Sequence, residues 1–281
     1  MALPFVEPSN PVKLALRRAL GRIACVLLPG KARALSAGEG PASFGLVDRL
    51  MLAALRQRAE REGTLEEFTA RQQRRFWSSG AAADFHSTQE QYFEEWFLGH
   101  NRALLEELEK AVAEGSYGTL CEIGCGTGLA LVELRRRLPG INRFVGIDLS
   151  EEQIRRNRTR FADDRLEWVA GDALAWILAG GGPGWVFLSN NGVLEYFTRD
   201  DVQKLFGHLA SRLRPTLISL CEPVGMEHDL DGDSGSSPYG TERSFSHNYP
   251  HLLREAGFDV LYESEIRRSG HRLLRILARA G

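Results

Sequence analysis

From residue 119 onward, short unbroken apolar runs alternate with longer segments whose apolar residues recur three and four apart. The runs are Thr119–Ile123, Arg143–Asp148, Arg165–Ala170, Trp185–Ser189 and Thr216–Cys221. Each has the length of a strand, and Arg143–Asp148 reads as a buried strand ending in an acid. Helical periodicity fills the intervals, from Leu129 to Leu138, from Ser150 and from Thr198. Ser150 and Thr198 are N-caps by type, with acids in the turn that follows each. A helix opens at Ser246-His247-Asn248-Tyr249 and ends at Ala256-Gly257. Two last strands, Asp259–Ile266 and Arg272–Ala278, are joined by Arg267–Gly270 into a closing hairpin. The alternation predicts an α/β fold: a doubly wound, seven-stranded, mostly parallel sheet whose last strand is antiparallel.

The first 83 residues have a different rhythm and read as an N-terminal helical extension, with the α/β domain at 84–281. Residues 1–11 hold three prolines and are expected to be extended. A first helix starts at Val12, with Leu14, Leu16, Leu20, Ile23 and Leu27 roughly on one side, and Pro29-Gly30 stops it. Between Pro8 and Ala37 there are basic residues, among them Arg17, Arg18 and Arg22, and no acids. Such a helix can lie on an anionic membrane surface or pack on its own domain with a solvated arginine face. Packing is the commoner use of the pattern. Ser36–Ser43 is a loop and Phe44–Arg61 a second helix ended by Gly63. Thr64-Leu65-Glu66-Glu67 has the form of a capping box before a third helix that reaches Trp77. Ser78–Ala83 reads as a hinge. These helices carry no catalytic constellation, and their expected roles are covering a cleft, forming a homodimer, or both.

The stretch that carries chemistry is Glu122-Ile123-Gly124-Cys125-Gly126-Thr127-Gly128, between the first strand and the helix at Leu129. Glycines at alternate positions let a ligand approach bare backbone, and the helix start offers unpaired N–H groups and a positive dipole end. Asp148 ends the second strand, 20 residues after Gly128. That spacing returns the chain to a parallel neighbour, where a carboxylate can accept two ribose hydroxyls. A dinucleotide fold wants a third glycine three residues after the second, but position 129 is Leu. An acid at 122 would also repel a pyrophosphate.

The pattern E-x-G-x-G-x-G, with Asp148 and Gly171-Asp172-Ala173 behind it in order, resembles the class I S-adenosylmethionine-dependent methyltransferases over residues 117–281. The resemblance implies S-adenosylmethionine as cofactor. Glu122, Gly124, Cys125, Gly126 and Gly128 would receive its methionine part. Asp148 and Leu149 would lie along the ribose and Gly171, Asp172 and Ala173 along the adenine, although Asp172 is also a helix N-cap by type. Asn190, at the carboxyl end of the fourth strand, would face the cleft. Tyr92, in the aromatic segment before the first strand, would cover the cofactor. A hydroxyl acceptor would need a base, for which His86, His228 and His247 are the candidates. The polar segment Glu222–Ser244 is expected to be a lid carrying His228 and Tyr239. An NAD-dependent oxidoreductase and a non-catalytic protein of the same fold remain as alternatives.

Composition narrows the partners. The chain has 281 residues, 43 % hydrophobic and 26 % charged, with a formal net charge of -2. It is large enough for a substantial core and has no global attraction to nucleic acid. A small-molecule methyl acceptor is the expectation, with the basic first helix leaving a lipid-like one open. Cys25, Cys121, Cys125 and Cys221 are expected to be reduced thiols of a cytoplasmic protein. Cys121 and Cys125 have no nearby second pair to complete a zinc site. Asp229–Asp233 resembles a calcium loop only superficially, because its twelfth position is Gly240 and not Glu. No apolar run reaches the roughly 20 residues of a membrane span. The apolar patch Ile23–Leu28 lacks the cleavage site of a signal peptide.

Overall fold

Seven strands form one sheet in the order β3-β2-β1-β4-β5-β9-β8. They are β1 (Thr119–Ile123), β2 (Arg143–Asp148), β3 (Leu166–Ala170), β4 (Trp185–Asn190), β5 (Thr216–Pro223), β8 (Asp259–Arg268) and β9 (His271–Ala280). The pairs within β3-β2-β1-β4-β5 are parallel, whereas β9 runs antiparallel to both β5 and β8. The computed structural model describes residues 10–40, 44–240, 244–268 and 270–281. The expected extended start at residues 1–9 lies outside the described residues. So do positions 41–43 of the expected Ser36–Ser43 loop, 241–243 of the polar segment and 269 of the last turn.

The alternation within each strand decides which layer each side chain joins. In β1, Leu120 points to one face while Cys121 and Ile123 point to the other. One face is covered by α6 (Arg102–Glu114), α7 (Leu129–Arg137) and α8 (Glu151–Arg160). The other is covered by α9 (Ala173–Gly180), α10 (Arg199–Arg212) and α11 (Tyr249–Ala256). The result is a three-layer sandwich with the first helices after β1 and β2 on one side and the later ones on the other. Cys121 and Cys125 are therefore in different layers, one in each apolar cluster. This separates the two thiols by the sheet itself.

The described residues cluster into two compact units. One comprises the chain up to Ala81 with a short return at Pro238–Ser244, and the other comprises Ala82–Ser237 with Phe245–Gly281. The first unit contains α1 (Pro11–Leu27), α2 (Pro29–Ser36), α3 (Leu46–Glu62) and α4 (Leu65–Trp77). Its core is Leu35, Met51, Leu52, Leu55, Ala59 and Phe68. At Gly21 α1 approaches α3 so closely that an added Cβ would stand 1.9 Å from the Leu50 carbonyl oxygen. Since that neighbour is backbone, it cannot rotate away. Gly21→Ala is expected to lower stability by about 1–3 kcal/mol through forced separation of the two helices, a loss that thermal unfolding will report.

Several local expectations are corrected. The first helix does stop before Pro29-Gly30, but Pro29 is also the first residue of a further helix, α2, where its fixed φ suits a helix and its missing N–H costs nothing. Leu28 caps α1, and α2 takes in Ser36, the first residue of the expected loop. Thr64 precedes α4, but its φ of -113° and ψ of 24° are not the extended geometry of a capping box, and its side chain makes no cap bond. The hinge expected at Ser78–Ala83 shrinks to two serines, because α5 (Gly80–Gln89) starts at Gly80. The hydroxyls of Ser78 and Ser79 donate to the carbonyls of Arg74 and Phe76 and finish α4. The aromatic segment continues as a 3₁₀ turn (Glu90–Tyr92) and a π-helical stretch (Glu94–Gly99) before α6. His247 belongs to the short strand β7 (Ser244–His247), and the cap of α11 is Asn248, which accepts from the His251 N–H at 3.1 Å.

Candidate functional site

The carboxyl ends of β1, β2, β3 and β4 lie side by side, with Ile123 opposite both Ile147 and Ser189, and Asp148 opposite Ala170. The glycine turn leaves this edge. Gly124, Gly126 and Gly128 all have positive φ, at 66°, 44° and 76°. Each is also pressed on by a different side chain. An added Cβ would stand 2.7 Å from the Val193 methyls at Gly124, 3.0 Å from His86 Nδ1 at Gly126 and 2.4 Å from the Trp168 ring at Gly128. Alternate glycines are thus needed both for the backbone and for three close approaches.

The turn is held from both ends of its central peptide. The Gly126 N–H donates to Asp148 Oδ2 at 2.9 Å, and Asn157 Nδ2 donates to the Gly126 carbonyl at 2.8 Å. The Cys125 N–H bonds the Ile147 carbonyl at 2.9 Å, which ties the turn to β2. The other oxygen of Asp148 accepts the Ser150 N–H at 2.9 Å, just where α8 begins. Asn157 is set in turn by Gln153, whose Nε2 donates to its Oδ1 at 2.8 Å. Trp168 supports the turn from β3. Sequence reasoning missed Gln153, Asn157 and Trp168. The first two sit one turn apart on α8, and a pair of buried amides on the face of a helix that meets the sheet was the available signal.

Two ionisable groups at the turn are shifted by burial. Glu122 is buried, and burial together with the nearby Asp148 pushes its carboxyl well above the usual carboxylate range. Its Oε2 has no hydrogen-bond partner. His86, on α5, stands with Nε2 3.9 Å from Asp148 Oδ2. Burial lowers its pKa, against an opposing pull from the Asp148 carboxylate.

The other expected site residues fall into two groups. Gly171, Asp172, Ala173 and Asn190 lie on the same edge as the turn. The Gly171 N–H bonds the Asp148 carbonyl at 2.9 Å, and Asp172 caps α9 through the Ala175 N–H at 2.9 Å. Asn190 Oδ1 accepts from Asn101 Nδ2 at 3.1 Å. Leu149 is partly exposed beside Asp148, and Tyr92 is exposed in the 3₁₀ turn. The second group, His228 and His247, is bound into the segment that follows β5. His228 Nδ1 pairs with Ser246 Oγ at 2.7 Å, and His247 pairs with Ser236 Oγ at 2.7 Å and the Phe197 carbonyl at 3.1 Å. Burial pushes His247 down to about 4. Arg272 of β9 donates to the carbonyls of Gly225 and His228. This segment, expected as an open polar lid, is therefore hydrogen-bonded to the body through Gly225–His228.

Glu222 is a further acid that sequence reasoning left in the lid. It ends β5 fully buried, accepts the Ser189 hydroxyl at 2.6 Å and takes the Val193 and Leu194 N–H groups, each at 3.0 Å. Burial pushes its pKa up to about 8. It fixes the turn after β4, where Asn191 and Gly192 have φ of 61° and 88° and Val193 reaches Gly124. An acid directly after an apolar strand was the signal for it. Among the described residues, no group of three or more His, Cys, Asp or Glu is gathered as a metal site.

Residues 120–216 match the family described as "Methyltransferase domain". This span runs from the glycine turn through Asp148 to the start of β5. Over these residues the chain matches a methyltransferase domain, set in a sheet of the class I methyltransferase fold. Solved methyltransferases of this fold hold S-adenosylmethionine or S-adenosylhomocysteine. Uncharacterized methyltransferases of Mycobacterium tuberculosis and Mycobacterium bovis are 36 % identical over 59 residues. That is 20 % of this chain, which spans only 28 % of the length of those relatives. The methyltransferase fold is similar to magnesium protoporphyrin IX methyltransferase from Synechocystis PCC 6803 with bound SAH, at a TM-score of 0.52 and 16 % identity, covering 76 % of this chain and 100 % of that one. A TehB-like SAM-dependent methyltransferase from Corynebacterium glutamicum aligns at a TM-score of 0.51 and 14 % identity, covering 72 % and 100 %. These structural likenesses carry the methyltransferase fold.

Proposed function

We propose that the protein transfers the methyl group of S-adenosylmethionine to a small-molecule acceptor. The observation that carries the reading is the glycine turn clamped to Asp148, with the orphaned carboxyl oxygen of Glu122 buried behind it. The cofactor's two ends ask for different things. Its methionine end is cationic at the ammonium and sulfonium, and its ribose offers two hydroxyl donors. Glu122 suits the first. Asp148 suits the second, because each of its oxygens accepts one backbone N–H and retains acceptor capacity for a hydroxyl. Gly171, Asp172 and Ala173 would lie along the adenine and Asn190 would face the acceptor side.

Displacement at the sulfonium methyl needs alignment of the acceptor and exclusion of water more than it needs protein chemistry. With a hydroxyl acceptor, a base must take the proton. Of the three histidines, His86 is the one whose ring reaches the turn, and its lowered pKa keeps an acceptor nitrogen at neutral pH. His228 and His247 hold protein partners through their rings. Release of S-adenosylhomocysteine with phenols, carboxylic acids or amines supplied as separate pools tests the reaction. Turnover with one pool supports it, and no turnover with any pool, nor with macromolecular extracts, counts against it.

The Glu122 environment gives a pH prediction. A raised pKa means that the free protein keeps a proton on Glu122 to higher pH than an ordinary carboxyl does, and a cation beside it would favour the carboxylate. Binding should then release a proton, and the apparent affinity for S-adenosylhomocysteine should rise with pH by up to about tenfold per unit below the raised pKa. Calorimetry in two buffers of different ionisation enthalpy measures the proton directly. Glu122→Gln should abolish the release.

A further inference from the structure

We propose that α1 seats the first unit on an anionic lipid surface. The proposal does not depend on methyl transfer. The face of α1 turned to α3 carries the small residues Gly21, Ala24 and Cys25, with Leu14 half-buried on the same side. Six large apolar residues point the other way. Val12, Leu16, Leu20, Ile23, Val26 and Leu27 are 75, 60, 44, 57, 78 and 72 % exposed. At about 100° per residue these six positions fall within an arc of about 120°. The sequence alone would have this row face the protein core. The structure turns it outward, because only the small-residue face of α1 can come as close to α3 as Gly21 does.

What such a ridge suits is decided by the charges beside it. Lys13 flanks it on one side and Arg22 on the other, both exposed, and Arg33 is exposed on α2. Arg22 is bonded to the neutral Gln57 and keeps its charge uncompensated in that contact. Arg18 lies 3.6 Å from Glu60 and Lys31 2.6 Å from Asp48, so those two are partly neutralised. No acid occurs from Asn10 through Gly38. Two copies joined ridge to ridge would bring the Lys13 and Arg22 sets of both chains together, an arrangement of like charges. An anionic lipid surface meets the same ridge with opposite charge, and it takes up a helix with this division of apolar and basic positions lying in its plane. Among the described residues no helix is long and apolar enough to cross a membrane, so the contact is along the surface.

Co-sedimentation of the full chain with vesicles tests this. One set is phosphatidylcholine alone, and the other carries about one part in three phosphatidylglycerol. Binding is expected to the anionic set, at least about tenfold tighter than to the neutral one, and weakened by raised salt. The pair Leu16→Ser with Ile23→Ser removes apolar ridge without adding charge. Both positions are exposed, so circular dichroism should be unchanged while vesicle binding falls by about tenfold or more. Lys13→Gln with Arg22→Gln should reduce the preference for anionic vesicles. Equal binding to both sets would overturn the charge argument. No vesicle binding would overturn the proposal, whether the chain sediments as a monomer or as a dimer that the serine pair dissociates. That second result would assign the ridge to a second copy.

Discussion

Replacing Asp148 with alanine is expected to weaken S-adenosylhomocysteine binding by about a hundredfold or more, on the order of 3 kcal/mol. Two effects combine. The carboxylate would hold the ribose hydroxyls, and it already holds the N–H groups of Gly126 and Ser150, each at 2.9 Å. Its loss therefore removes ligand contacts and loosens the turn that receives the rest of the cofactor. The fold should survive, because the Cys125–Ile147 bond and the Asn157 bond to the Gly126 carbonyl remain. Asp148→Asn should be milder, since an amide oxygen keeps one acceptor. Calorimetric titration of both variants, with circular dichroism as the control for folding, separates ligand contact from collapse. An unchanged affinity in Asp148→Ala would remove the ribose assignment.

The largest loss of stability is expected from Glu222→Ala. That change strips the acceptor from the half-buried Val193 N–H, the buried Leu194 N–H and the Ser189 hydroxyl. Each orphaned group costs about 1–3 kcal/mol, so a total of about 3–4 kcal/mol is reasonable after partial relaxation. The same glutamate makes stability depend on pH. In the folded chain its pKa is about 8, whereas in the unfolded chain it returns to an ordinary ~4.3. Between those values the folded state holds a proton that the unfolded state has released, so stability falls as pH rises. The contribution is complete below the unfolded value and is lost as pH passes through 8. Glu222→Gln should keep the fold, because its amide can accept the two N–H groups and donate to Ser189, and it should flatten this dependence. Denaturant unfolding across the window reads both effects.

The parts of the fold visible in the sequence are those decided by neighbours along the chain. Strand, glycine turn and helix at 119–137 follow one another directly, and the parallel sheet follows from short apolar runs that alternate with helical segments. The hairpin of β8 and β9 was visible for the same reason, as two long runs with a short polar join. What escaped was fixed by contacts between distant segments. Asn157 and Trp168 read as an ordinary helix polar residue and strand aromatic until the turn is folded against them. Glu222 reads as the first polar residue of a loop until β4 and β5 pair. The outward turn of the α1 ridge depends on Gly21 meeting α3, which periodicity cannot reveal. Where local signals were ambiguous, tertiary structure chose: Pro29 starts a second helix as well as following the first, and His247 lies in a strand.

Titration of the purified protein with S-adenosylhomocysteine, with NAD in parallel, tests the central claim most directly. Saturable binding of S-adenosylhomocysteine with release of a proton, and no binding of NAD, is the expected result. Binding of NAD alone would contradict it, and would mean that the glycine turn and Asp148 serve a dinucleotide despite the spacing.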